Sequence, residues 1–205
     1  MVLSIVERIK GFLFSPSDTF DASREDSLGD AFKYFVVILA IYAVLSAIIA
    51  AVAFSMIAGM FGVPQMPFGA AAGPLAAVGV FIAALIGGII GIFIGGVWLH
   101  IWVYLVGGRN GMGQTIKAVI YGMTPSLILG WIPIVGFIAG IWALIVEIIG
   151  VRQLHDLTTG KAVLAVIIAI VIPAIIIGIL VAAFIAMMPG QMFPGPSMGP
   201  GFGGF

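Results

Sequence analysis

The chain contains no cysteine, which excludes disulfides, thiolate metal sites and a cysteine nucleophile. Charge is nearly as scarce. Asp, Glu, Lys and Arg make up 8% of the 205 residues, against about 25% in an average soluble domain. So few charges cannot cover a soluble fold without leaving large apolar patches in water. The formal net charge is zero, so there is no electrostatic footprint for a nucleic acid, and none is expected as a partner. The G-x-S-x-G and H-E-x-x-H patterns and paired intramembrane aspartates are missing too. No enzyme activity, catalytic residue, metal or cofactor is expected. Met1–Phe14 is interrupted by Glu7, Arg8 and Lys10, so it lacks the uninterrupted apolar core of a cleavable signal.

What the chain has in plenty is hydrophobic residues, 62% of the total. They fall in long runs that can be measured against the roughly 20 apolar residues needed to span a bilayer. The expected fold is all-α, a polytopic transmembrane bundle of five spans: residues 34–57, 75–106, 115–130, 132–150 and 161–187. The long uncharged stretch from Ala118 to Val151 is divided at Gly130-Trp-Ile-Pro133, where proline breaks the helical ladder and glycine favours a tight hairpin. Ser27 and Asp30 read as the cap of the first span. Pro173 predicts a kink in the last.

The eight basic residues form three patches: Arg8, Lys10, Arg24 and Lys33; Arg109 and Lys117; Arg152 and Lys161. Five spans with a cytoplasmic N-terminus put all three inside, as the positive-inside rule requires, and the C-terminus outside. Four spans would turn the last patch outward. The expected location is the cell membrane. Residues 1–33 form a cytoplasmic segment containing a helix over Ser4–Phe14. Its Ile5, Ile9 and Phe12 share one face, with Glu7, Arg8 and Lys10 on the polar side, so it either lies in the membrane interface or packs on the bundle. Residues 34–187 form the membrane domain. Residues 188–205, rich in Pro, Gly and Met, form a disordered tail.

Two constellations stand out. Gly79, Ala83, Gly87, Gly91 and Gly95 recur every four residues and form a flat strip that lets another helix approach closely, in this chain or in another. Homo- or hetero-oligomers are therefore candidate assemblies. Glu147 is the only acid within an apolar span, and a charge at membrane depth needs a partner. His100, Tyr104, Lys117 and Tyr121 share its expected depth, so the five could line a polar pocket near the cytoplasmic face. Alternatively, Glu147 pairs with Lys117 or His100 merely to fix helix register.

The order of several short motifs resembles the Yip1 domain in its archaeal and bacterial form. They are Phe14-Ser-Pro-Ser-Asp-Thr-Phe20, Gly107-Gly-Arg-Asn-Gly111, Gln114-Thr-Ile-Lys117 and Tyr121-Gly-Met-Thr-Pro125, then Ile149-Gly-Val-Arg-Gln-Leu-His155 and Thr159-Gly-Lys-Ala162. Tyr121, Gly122, Pro125 and Gly150 are the motif residues. The resemblance implies five spans with the N-terminus inside. Eukaryotic Yip1 proteins work in vesicle trafficking, contact small GTPases and one another, and carry a D-L-Y-G-P signature. Only Tyr121-Gly122 echoes it here, so no GTPase contact is carried over. The expected function is that of a non-enzymatic membrane scaffold or organising factor; the alternative is a small transporter or channel using the polar pocket.

Overall fold

The structure, a computed structural model, describes residues 3–60 and 72–187. The tail expected over 188–205 lies outside them, as does most of the loop expected over 58–74. The regular elements among the described residues are all helices: α1 Ile5–Phe14, α2 Pro16–Ala22, α3 Leu28–Met60, α4 Ala72–Leu105, α5 Met112–Gly122, α6 Thr124–Leu129, α7 Val135–Leu154 and α8 Thr159–Ala186. The chain divides into two compact units, Met1–Ile167 and Ile168–Phe205. The described part of the second is the C-terminal stretch of α8, where Ile175, Ile176, Ile177, Ile179, Leu180 and Ile185 are exposed.

Four helices, α3, α4, α7 and α8, are long and apolar enough to cross a membrane. Their large apolar side chains are widely exposed, as in the row Ile86, Ile90 and Ile94 of α4. Such a surface requires a hydrocarbon solvent, so the chain is a multi-pass membrane protein in a lipid bilayer.

The region expected to form a span over residues 115–130 is built differently. It is two helices, α5 and α6, of 11 and 6 residues, separated at Met123. Pro125 has no N–H to offer the carbonyl of Tyr121, so the ladder breaks there. Nor is α5 a lipid-facing helix: every residue from Thr115 to Gly122 is buried. It packs against α3, α4 and α7 and forms the centre of the first unit.

Glycine sets how closely the helices approach α5 and each other. A Cβ added at Gly96 of α4 would lie 2.9 Å from Ile116, and one at Gly88 would lie 2.7 Å from Leu39 of α3. A Cβ at Gly122 would stand 2.8 Å from the Cα of Glu147, so α5 and α7 touch backbone to backbone. One at Gly150 would overlap the ring of Phe20, 2.5 Å away. The glycine turn between α4 and α5 has its own reason for glycine: Gly107 and Gly111 take φ of +109° and +89°.

The N-terminal helices belong to this packing. Helix α1 starts with a capping box in which Glu7 N donates to Ser4 Oγ and Ser4 N donates to Glu7 Oε2. Phe12 is fully buried, and Trp142 Nε1 of α7 donates to the Leu13 carbonyl at 3.1 Å. Helix α1 packs on the bundle through Phe12 and leaves Ile5, Val6 and Phe14 exposed. Arg8 corrects the sequence reading: it faces inward with Phe12, four residues on, and is 3% exposed.

Because backbone cannot yield as a side chain can, Gly122→Ala should destabilise the fold by about 1–3 kcal/mol. Gly140→Ala on the same α7 meets nothing within 4 Å and should leave stability unchanged or slightly raised. Thermal unfolding of the two variants in detergent checks the contrast.

Candidate functional site

The polar side chains of the first unit gather at the end where α3, α5 and α8 begin and α4 and α7 finish. They form two clusters. The first is centred on Tyr121 of α5. Arg8 donates one guanidinium nitrogen to Asp26 Oδ2 and to the Tyr121 hydroxyl, both at 2.5 Å, and Nε to the Leu3 carbonyl at 3.1 Å. The Tyr121 hydroxyl donates to the same Asp26 oxygen at 2.7 Å. Lys117, one turn before Tyr121, donates to the carbonyls of Arg24 and Asp26 at 2.7 and 3.0 Å. A buried guanidinium is tolerable only if it is paired and its donors are used, and this arrangement meets both needs.

Aromatic packing seals the cluster. Phe12 stacks on Tyr121 at 4.7 Å between ring centroids, Phe20 meets Phe12 edge-on at 4.9 Å, and Tyr34 approaches Tyr121 at 5.7 Å. The Tyr34 hydroxyl is spent on Thr124 Oγ1 at 2.9 Å.

The second cluster is a chain of three residues. His100 Nδ1 of α4 lies 2.8 Å from Thr115 Oγ1, and that hydroxyl lies 2.9 Å from Nε2 of His155, just beyond α7. Thr115 has one proton, so it donates to one imidazole and accepts from the other. In either arrangement His155 Nδ1 stays buried with no partner among the described residues. Gly108 makes room for it, since a Cβ there would come within 3.1 Å of Nδ1 and 2.5 Å of Val103.

Asp156, next in sequence, faces outward. It accepts from Arg24 at 2.5 Å and from Asn110 at 2.9 Å, while Asn110 also donates to the terminal carbonyl of α7 at Leu154. Those bonds, from Arg24 first and then Asn110, hold the Asp156 carboxyl below the usual carboxylate range. His155 is pushed down to about 4, chiefly by burial and then by the neighbouring His100.

The five residues proposed from sequence as one pocket are therefore divided. Lys117 and Tyr121 belong to the first cluster and His100 to the second. Tyr104 is exposed beneath Arg109, whose guanidinium sits 3.8 Å from the ring centroid. Glu147 packs its own backbone against Gly122. Neither pairing suggested for it is formed: Lys117 is committed to carbonyls and His100 to Thr115. Sequence reasoning missed Arg8, Asp26, Thr115 and His155 as parts of the site. The one signal available was the four-residue spacing of Arg8 and Phe12.

The glycine strip has an equally clear outcome. At Gly79, Gly87, Gly91 and Gly95 an added Cβ would meet nothing within 4 Å among the described residues. The helix contacts of α4 run instead along Gly88, Ile92, Gly96 and Leu99.

The motif residues can now be placed. Tyr121 is the hub of the first cluster, Gly122 and Gly150 are close approaches, and Pro125 separates α5 from α6. The Yip1 domain pattern matches residues 10–182, most of the chain. The chain belongs to the Yip1 domain family. No curated protein and no solved structure matches it.

Two outcomes follow for this Yip1 domain. Asp26→Asn leaves Arg8 buried without an anion and should destabilise by about 3–5 kcal/mol. An apolar replacement of both partners, Arg8→Met with Asp26→Leu, should recover most of that loss, as read by thermal unfolding. The second concerns pH. His155 has its folded pKa depressed, so the stability linked to it is present above about 6.5 and lost as pH falls towards about 4. A His155→Gln variant should lose less stability than the wild type over that interval, measured as melting temperature against pH.

Proposed function

We propose that this Yip1 domain is a non-enzymatic scaffold of the cell membrane that acts by holding a helix of another chain against α4. The carrying observation is the open strip of Gly79, Ala83, Gly87, Gly91 and Gly95. Small residues at this spacing allow close backbone approach, yet the described residues leave the four glycines unfilled. The same helix uses a different pair, Gly88 and Gly96, for its own packing. Two glycine faces on one helix suit two neighbours, one inside the chain and one outside it.

The polar clusters support the same reading. Their groups are committed to one another and to backbone carbonyls, which suits a rigid platform rather than a path for solute. In this reading the clusters face the cytoplasm and the C-terminus lies outside. The helix pair α5–α6 and the helix α7 make the third and fourth of five crossings, joined by a turn recessed to the depth of Tyr42, which keeps every basic patch inside.

Gly91→Leu should abolish association while leaving the melting temperature within a degree or two of wild type. Gly88→Leu should instead destabilise the monomer by colliding with Leu39. Native mass spectrometry of protein gently extracted from its membrane reads the association. A wild-type protein that is monomeric and partner-free, or a Gly91→Leu variant that associates normally, would contradict the scaffold reading.

A further inference from the structure

We infer that the membrane domain contains a binding cavity, apart from both polar clusters and independent of the scaffold reading, for a membrane-dissolved molecule with one hydrogen-bonding oxygen on an apolar body. The cavity measures about 410 Å³ and lies between α3, α4, α6 and the start of α7. That volume is within the range of small-molecule sites. Leu39 and Tyr42 line it from α3, Gly88 from α4, Ser126 from α6, and Gly130 and Gly136 close it at the turn into α7.

The cavity persists because its walls are already at closest approach elsewhere. Gly88 touches Leu39, where a Cβ would be 2.7 Å from a methyl carbon. Gly136 faces the Gly130 carbonyl, where a Cβ would be 2.7 Å from the oxygen. Gly130 is pinned in turn by its N–H, which donates to the Ser126 carbonyl at 2.8 Å. With Gly88 against the Leu39 side chain and Gly136 against the Gly130 backbone, the walls have little room to fold inward and fill the space.

Depth and polarity define the occupant. Tyr42 and Gly88 both stand near the middle of the long apolar helices α3 and α4. Water is excluded at that depth, and an unpaired hydroxyl is costly. Yet the Tyr42 hydroxyl has no hydrogen-bond partner among the described residues. Ser126 reaches only the Ala139 carbonyl, at 3.4 Å, the limit of a hydrogen bond. A plain acyl tail would fill the volume and leave the Tyr42 hydroxyl unserved and Ser126 on its one long bond. A long alkyl or isoprenoid molecule ending in a hydroxyl or carbonyl would fill it and give them an acceptor.

The test places the full chain in nanodiscs of phosphatidylcholine and phosphatidylglycerol with one of two photoreactive probes of equal length. One is a diazirine-bearing hexadecanol and the other a diazirine-bearing hexadecane. Labelled peptides are then read by mass spectrometry. The alcohol should label the segments around Tyr42 and Ser126 severalfold more than the alkane. Tyr42→Phe should reduce the alcohol to the alkane's level with folding intact, and Ala84→Leu, which fills the cavity from a lining position of α4, should lower labelling by both. Equal labelling by the two probes in the wild type would mean that ordinary hydrocarbon fills the space. That result, no labelling at all, or a Tyr42→Phe variant that keeps the preference would overturn the inference.

Discussion

A guanidinium almost wholly removed from solvent needs an anion beside it, and the placement of the N-terminal segment depends on that need. Arg8 finds Asp26, and Tyr121 bridges the two. Through these contacts α1, the segment before α3, and α5 become one packed unit. Lys117 reinforces it by donating to the carbonyls on either side of Glu25. Replacing one partner leaves the other stranded, which is why such a pair specifies an arrangement more than it adds stability. The aromatic rings of Phe12, Phe20 and Tyr34 then exclude water from the same point.

From this anchor the rest of the first unit follows by close approach. Helix α5 is short, buried and ringed by longer helices, so its neighbours must come near it. Glycine makes that possible at Gly96, Gly122 and Gly150. In lipid there is little hydrophobic drive between helices, and contact at small residues takes its place. The motif residues of the Yip1 domain are thus parts of the packing itself. Tyr121 carries the hub, Gly122 and Gly150 set distances, and Pro125 ends α5 so that α6 can turn aside.

The apolar runs announced the long helices directly, because a bilayer sets their length and composition. Ser27 and Asp30 marked the start of α3, and the Ser27 hydroxyl accepts from Asp30 N at 3.1 Å. The division of α5 from α6 was less legible. Composition alone joins 115–130 into one apolar stretch, and only the missing N–H of Pro125 separates it. The hub was out of reach, since Arg8 and Asp26 are 18 positions apart and Asp26 and Tyr121 are 95 apart. No local pattern encodes such a contact. The glycine row in α4 was visible, but the sequence shows two interleaved rows. Only the positions of Leu39 and Ile116 reveal which row packs within the chain. Glu147 misled for a related reason: its rarity in an apolar span drew expected partners towards it, while Lys117 and His100 had nearer acceptors.

Helix α1 is a clamped part of the first unit, held by Arg8 and Phe12, rather than a loosely resting helix. Hydrogen–deuterium exchange of the full chain in nanodiscs tests this most directly. The backbone amides of α1 should be protected to a degree comparable with those of α5, and Asp26→Asn should release that protection in α1 first. Rapid exchange throughout α1 in the wild type, with α5 protected, would contradict it.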